Sequence, residues 1–158
     1  MALGVGMLAT ACAGLREVFR EPRIDLQRVV VRGLGVTGGD LDLIVRVANP
    51  NGFALHGTRL EAGFDVEGSH VGTVTYQDEY QIRRNDSTLV TLPVRFEWSG
   101  VGSAFRAALR YGDIPYTLKG QATLRTPIGP RVVAFTTQGR APLVRSGGGL
   151  PGPAPGSP

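Results

Sequence analysis

Four stretches of this chain alternate apolar and polar residues with a period of two, and that pattern leaves few folds open. Leu41, Leu43, Val45 and Val47 fall on one face of the first, with Asp42, Arg46 and Ala48 on the other. Leu60, Ala62, Phe64 and Val66 alternate with Glu61, Gly63, Asp65 and Glu67 in the second. Val90, Leu92, Val94, Phe96 and Trp98 form the inner set of the third, with Thr91, Arg95 and Glu97 outward. Leu118, Ala122 and Leu124 face inward in the fourth, Tyr116–Arg125. Successive side chains leave a strand on opposite sides, so each stretch reads as a half-buried strand with one face on a core. With Ile24–Leu34, His70–Thr75, Tyr76–Ile82 and Arg131–Thr137 added, about seven short strands recur with turn signals between them. That spacing predicts a mainly β, antiparallel sandwich.

Composition narrows the organisation. Gly 23 and Pro 11 among 158 residues, with aromatics at 7%, suit many turns and short strands. One segment has helical spacing: Val101–Tyr111 puts Val101, Phe105, Ala108 and Leu109 on one stripe, with Ser99 placed to cap it and Gly112 to stop it. The expected domain spans residues 23–140. Residues 1–22 read as a signal-peptide remnant with a short linker, and 141–158 as a disordered Gly/Pro-rich tail, too poor in apolar residues to offset the entropy of ordering.

Several patterns that could carry chemistry lack the context they need. Gly33-x-Gly35-x-x-Gly38 matches a dinucleotide fingerprint, but a strand follows where that fingerprint requires a helix N-terminus for the pyrophosphate. Its glycines are expected to supply positive φ for a hairpin. His56 and His70 read as solvated, without partners at metal-ligand spacing, and Glu61, Asp65 and Glu67 as a solvated face. No nucleophile elbow is present. The single cysteine, Cys12, excludes an internal disulfide framework and a cysteine zinc site. Much of the net charge of +4 comes from Arg16, Arg20 and Arg23 near one end and Arg140 and Arg145 near the other, so it does not make a single patch. Arg106 and Arg110 share a helix side, yet the aromatic platform of a single-strand binder is missing, so no nucleic-acid partner is expected. Neither a catalytic set nor a cofactor or metal site is predicted.

The punctuation of the strands is more specific. The first alternating strand ends at Asn49-Pro50-Asn51, where Pro50 removes a ladder donor and the Asn side chains can bond nearby backbone. Gly68-x-x-Val71-Gly72 follows, then Ser87-x-x-x-x-Leu92-Pro93-Val94, with Pro93 calling for an edge position or a bulge. Tyr116-x-Leu118-x-Gly120 comes last. Together, over residues 24–140, these motifs resemble the water-stress and hypersensitive-response (WHy) domain of the late-embryogenesis-abundant type 2 family. The resemblance implies an immunoglobulin/fibronectin-III-like sandwich with one short helix, no catalytic residues, and an association with water stress and the protection of proteins or membranes.

The uncharged run Met1–Ala11 ends in Ala9-Thr10-Ala11 just before Cys12 and resembles a bacterial lipobox, although Ala9 stands where Leu is preferred and no Lys or Arg precedes the run. It implies acylation of Cys12, a membrane partner through that anchor, and an outer-membrane site facing the periplasm. Partly unfolded proteins are the expected clients. A cell-envelope scaffold for a specific protein or lipid partner is the alternative.

Overall fold

The computed structural model describes residues 18–146, so Cys12, Arg16 and most of the expected tail lie outside the described residues. Nine elements follow in order: β1 (Arg23–Leu34), β2 (Gly38–Ala48), β3 (Leu55–Val66), β4 (Ser69–Tyr76), β5 (Tyr80–Ile82), β6 (Ser87–Glu97), α1 (Ser103–Tyr111), β7 (Asp113–Thr126) and β8 (Gly129–Arg145). The protein is mainly β with one short helix. The strand order is β4-β3-β7-β8-β1-β2-β6, with β5 beside β3, and the end strands β4 and β6 come into contact without a hydrogen-bonded ladder. The result is a nearly closed, barrel-like sheet. Two separate facing layers were expected; instead β8 joins β7 along most of its length and then pairs in parallel with β1 through Leu143–Arg145.

The core follows the alternation. Leu41, Leu43, Val45 and Val47 of β2, Leu60, Ala62, Phe64 and Val66 of β3, Val90–Phe96 of β6 and Leu118–Leu124 of β7 bury alternate side chains in one cluster. Phe105, Ala108 and Leu109 of α1 close one end of it, with the Phe105 ring edge-on to Phe96 at 4.9 Å. Trp98, expected inside, is only partly buried and stands edge-on to Phe96 while its indole N–H donates to the Gly35 carbonyl.

Three local expectations need correction. The hairpin glycines at 33–39 do not supply positive φ, which among the described glycines belongs to Gly68, Gly112 and Gly129. Gly38 is needed for close approach, because a Cβ there would run into the Phe96 carbonyl across the β2–β6 ladder. Helix α1 begins at Ser103 behind Gly102, not behind a Ser99 cap, because Gly100 N–H closes a turn on the Glu97 carbonyl first. Gly112 does stop it, in the left-handed region at φ 72°. Finally, β8 runs to Arg145, so Ala141 and Leu143, assigned to the tail, are buried core residues.

Candidate functional site

Asn49-Pro50-Asn51 forms a polar knot at one pole. The Asn49 side-chain N–H groups donate to the carbonyls of Phe53 (2.7 Å), Arg83 (3.1 Å) and Ile82 (3.3 Å). Its Oδ1 accepts from the Asn51 backbone N–H and from Asn51 Nδ2, both at 2.9 Å. Asn51 then grips the incoming chain: its Oδ1 accepts from Arg20 N–H at 2.7 Å and its Nδ2 donates to the Arg20 carbonyl at 2.8 Å. Backbone bonds from Asn49 N–H to Asp86 and from Asn85 N–H to the Asn51 carbonyl close the knot. The two side chains are 2% and 3% exposed, so they offer a ligand almost nothing. Their role is to bind β2, the β5–β6 turn and the segment before β1 into one unit.

The other motif residues are likewise structural. Gly68, at φ 78°, and Glu67, at φ 47°, make the two-residue turn between β3 and β4. Gly72 lets β4 approach β6, since a Cβ there would lie 2.6 Å from Val94 Cγ1. Leu92 is fully buried, while exposed Pro93 sits opposite Asp42 on β6, an edge strand as the proline requires. Gly120 admits the β3 backbone, where a Cβ would overlap the Glu61 carbonyl oxygen. Tyr116 is a strut: it passes within van der Waals reach of Gly139 on β8, and its hydroxyl accepts the Leu26 N–H of β1 at 3.3 Å. It fills the place where β8 and β1 diverge.

One polar constellation escaped the sequence reading. His70 Nδ1 lies 2.7 Å from Asp65 Oδ1, and Nε2 lies 3.1 Å from Thr73 Oγ1. Asp65 and His70 are opposite neighbours across the β3–β4 hairpin, so the pairing was available from its register. The order hydroxyl–imidazole–carboxylate resembles a catalytic relay, but the His70 side chain is 58% exposed on an open strand face. Water there competes for each bond, and a relay needs a sequestered reacting centre beside it. His56, also exposed, lies between Gln81 and Arg125 in the neighbouring registers. Among the described residues no group of His, Cys, Asp and Glu is placed to hold a metal ion.

The surface is laced with ion pairs, not gathered into a patch. Arg32 holds Asp42 at 2.5 Å, Arg95 holds Asp40 at 3.0 Å, and Arg140 holds Asp113 at 2.9 Å. Arg106 lies over the Trp98 ring at 5.7 Å and donates to the Trp98 carbonyl, so the two arginines of α1 do not act as one basic stripe. The hollows are open: one of about 540 Å³ is lined by Arg23, Asp25, Arg46, Asn85 and Asp86 beside the knot. A second, of about 570 Å³, lies where β4 and β6 part, between Gln77, Asp78, Thr91, Pro93 and the Arg32–Asp42 pair. No described helix is long and apolar enough to cross a membrane.

Comparison with known proteins agrees with this picture. The model of the family described as "Late embryogenesis abundant protein" matches residues 45–139. Among solved structures, the solution structure of AT1g01470 from Arabidopsis thaliana superposes with a TM-score of 0.61 at 18% identity, covering 82% of this chain and 85% of that one. The X-ray structure of the structural-genomics target SoR45 superposes at 0.52 with 9% identity, covering 84% and 92%. At such identities the likeness concerns the fold alone. A search of curated proteins finds no significant match.

Proposed function

The chain belongs to the late embryogenesis abundant protein family, and on that premise we propose that it is a non-enzymatic water-stress protein of the bacterial cell envelope. In this reading the described residues form a WHy-type domain, and acylated Cys12 holds it at a membrane. Its work is to keep partly unfolded proteins, or the membrane itself, from irreversible damage as water is lost. The observation that carries the reading is the family match over 45–139 on a folded domain whose buried polar motif is wholly engaged in holding the fold. A folded domain cannot replace bulk water as a solvated coil does. Protection therefore falls to its surfaces, where bare strand edges and outer faces can hold extended or apolar segments of damaged chains. More than one acyl chain on Cys12 makes such anchoring stable.

Drying or heating a labile enzyme with and without the domain tests the protective half. Retained activity above that given by an inert protein at equal mass is the expected result; equal loss overturns it. The anchoring half is tested separately by the mass of the mature N-terminus in a membrane fraction, set against Cys12→Ala. A soluble, unmodified chain beginning at Met1 would refute it.

A further inference from the structure

We infer that β8 is a self-pairing strand, and that two copies of this chain join antiparallel along it, about a two-fold axis through Thr136, to continue the sheet from one protomer into the next. Over Gly129–Pro142 the strand has β7 on one side, and among the described residues no ladder occupies its other side until Leu143 meets β1.

Three prolines show which backbone groups face outward. Pro130 pairs with Arg125, Pro142 with Asp113, and Pro115 of β7 with Arg140. A proline can stand only where the ladder asks for no N–H, so these are the positions whose neighbours across β7–β8 exchange no hydrogen bonds. The even-numbered residues of β8 therefore turn their N–H and C=O groups away from β7. Val132, Ala134, Thr136, Gln138 and Arg140 are those residues, and all five are exposed. Such an edge is what proteins ordinarily blunt. The β6 edge is blunted, with Pro93 at its middle, whereas β8 carries proline only at the two ends of its bare run.

The occupant follows from the symmetry of that run. A two-fold contact requires a surface to match itself. Pro130 and Pro142 are equidistant from Thr136, so with Thr136 opposite its own copy the terminal prolines meet each other, and their missing donors fall at the two ends of the new ladder, outside the pairs that carry it. Val132 then faces Arg140, Ala134 faces Gln138, and Thr136 faces Thr136, a favourable cross-strand pair. On the other side of the strand Phe135 faces Thr137, Val133 faces Gly139 and Arg131 faces Ala141, so no two like charges stand opposite. Arg140 keeps its partner Asp113 within its own protomer. A single shared strand makes a small interface, which places the dimer among weak, concentration-dependent associations.

Sedimentation equilibrium of the full chain from micromolar to millimolar concentration tests this directly. Wild type is expected to pass from one to two chain masses over that range, and Thr136→Pro, which removes the N–H at the axis from both copies, to stay at one mass. Because that variant could lose its fold, amide exchange on wild type provides a second reading. The N–H groups of Val132, Ala134, Thr136, Gln138 and Arg140 should exchange at least tenfold more slowly at millimolar than at micromolar concentration. A wild-type chain that remains monomeric to millimolar, or dimerises without protecting those five amides, overturns the inference. So does a monomer whose β8 edge is protected only by an added extended apolar peptide, a result that leaves the protective reading standing.

Discussion

The knot at Asn49–Asn51 and the bare edge of β8 treat backbone polar groups in opposite ways. At the knot, two buried side chains answer the N–H and C=O groups of Phe53, Ile82, Arg83, Arg20 and each other, leaving nothing for a ligand. Along β8, the run Gly129–Pro142 has no ladder on its second side among the described residues. The contrast separates the part of the molecule that specifies the fold from the part free to act on something else. The most distinctive motif of the sequence belongs to the first, and the association proposed above rests on the second.

The contrast would break first at Asn49. Asn49→Ala removes five hydrogen bonds and leaves three carbonyls without this donor, a loss expected to destabilise by about 3–5 kcal/mol in urea unfolding. A cost below 1 kcal/mol would mean that water can replace the side chain and that the pole is not a buried knot.

The next test compares neighbours on β8. Thr137 faces β7 opposite Leu118 with its N–H in the ladder, so Thr137→Pro should cost about 3 kcal/mol or more. Thr136→Pro alters an outward N–H and should cost less than about 1 kcal/mol for the monomer. Equal costs would show that the outward side of the strand is occupied. Smaller than the loss at Thr137 is that of Tyr116→Phe, which leaves Leu26 N–H without its acceptor where the two strands part. A loss of about 1–2 kcal/mol is expected, with faster amide exchange confined to Leu26 and its neighbours.

How much of this could be read from residues alone depends on how local each interaction is. Burial alternation is a property of each strand, so the inward sets of β2, β3, β6 and β7 and the edge position of Pro93 were legible before any fold was known. The Asn side chains were expected to bond nearby backbone, yet two of the Asn49 acceptors lie 33 and 34 residues away, a pairing only tertiary structure creates. The end of β8 was lost for a related reason. Gln138-Gly139-Arg140 is an exposed stretch with no alternation to register, and the buried pair Ala141 and Leu143 is too short a signal against the glycines and prolines that follow. The closure of the sheet was also illegible, because it depends on one strand leaving β7 for β1 around Tyr116, and nothing in a period of two encodes that turn.

Tyr80 on β5 is the exception near the knot, and it sharpens the comparison at the smallest scale. Its ring lies where any side chain at Gly57 would sit, and its hydroxyl is the one buried side-chain polar atom among the described residues without a hydrogen-bond partner. Burial, with the nearby Tyr76 phenol adding to it, pushes its pKa up from 10.0 to about 12. The folded state thus favours the neutral phenol. Its contribution is fully present below pH 10, where the unfolded chain is neutral too, and is lost as pH rises through 12, because the unfolded chain releases its proton first. Partial exposure reduces the size of that loss to about 1–2 kcal/mol. Tyr80→Phe should therefore change stability by no more than about 1 kcal/mol at neutral pH, in the stabilising direction, since an orphan hydroxyl is replaced by hydrogen. Between pH 10 and 12 it should flatten the fall in unfolding free energy. A neutral-pH loss above 1 kcal/mol would mean that the hydroxyl has a partner after all, and the pole around Asn49 would then hold no unanswered side-chain group.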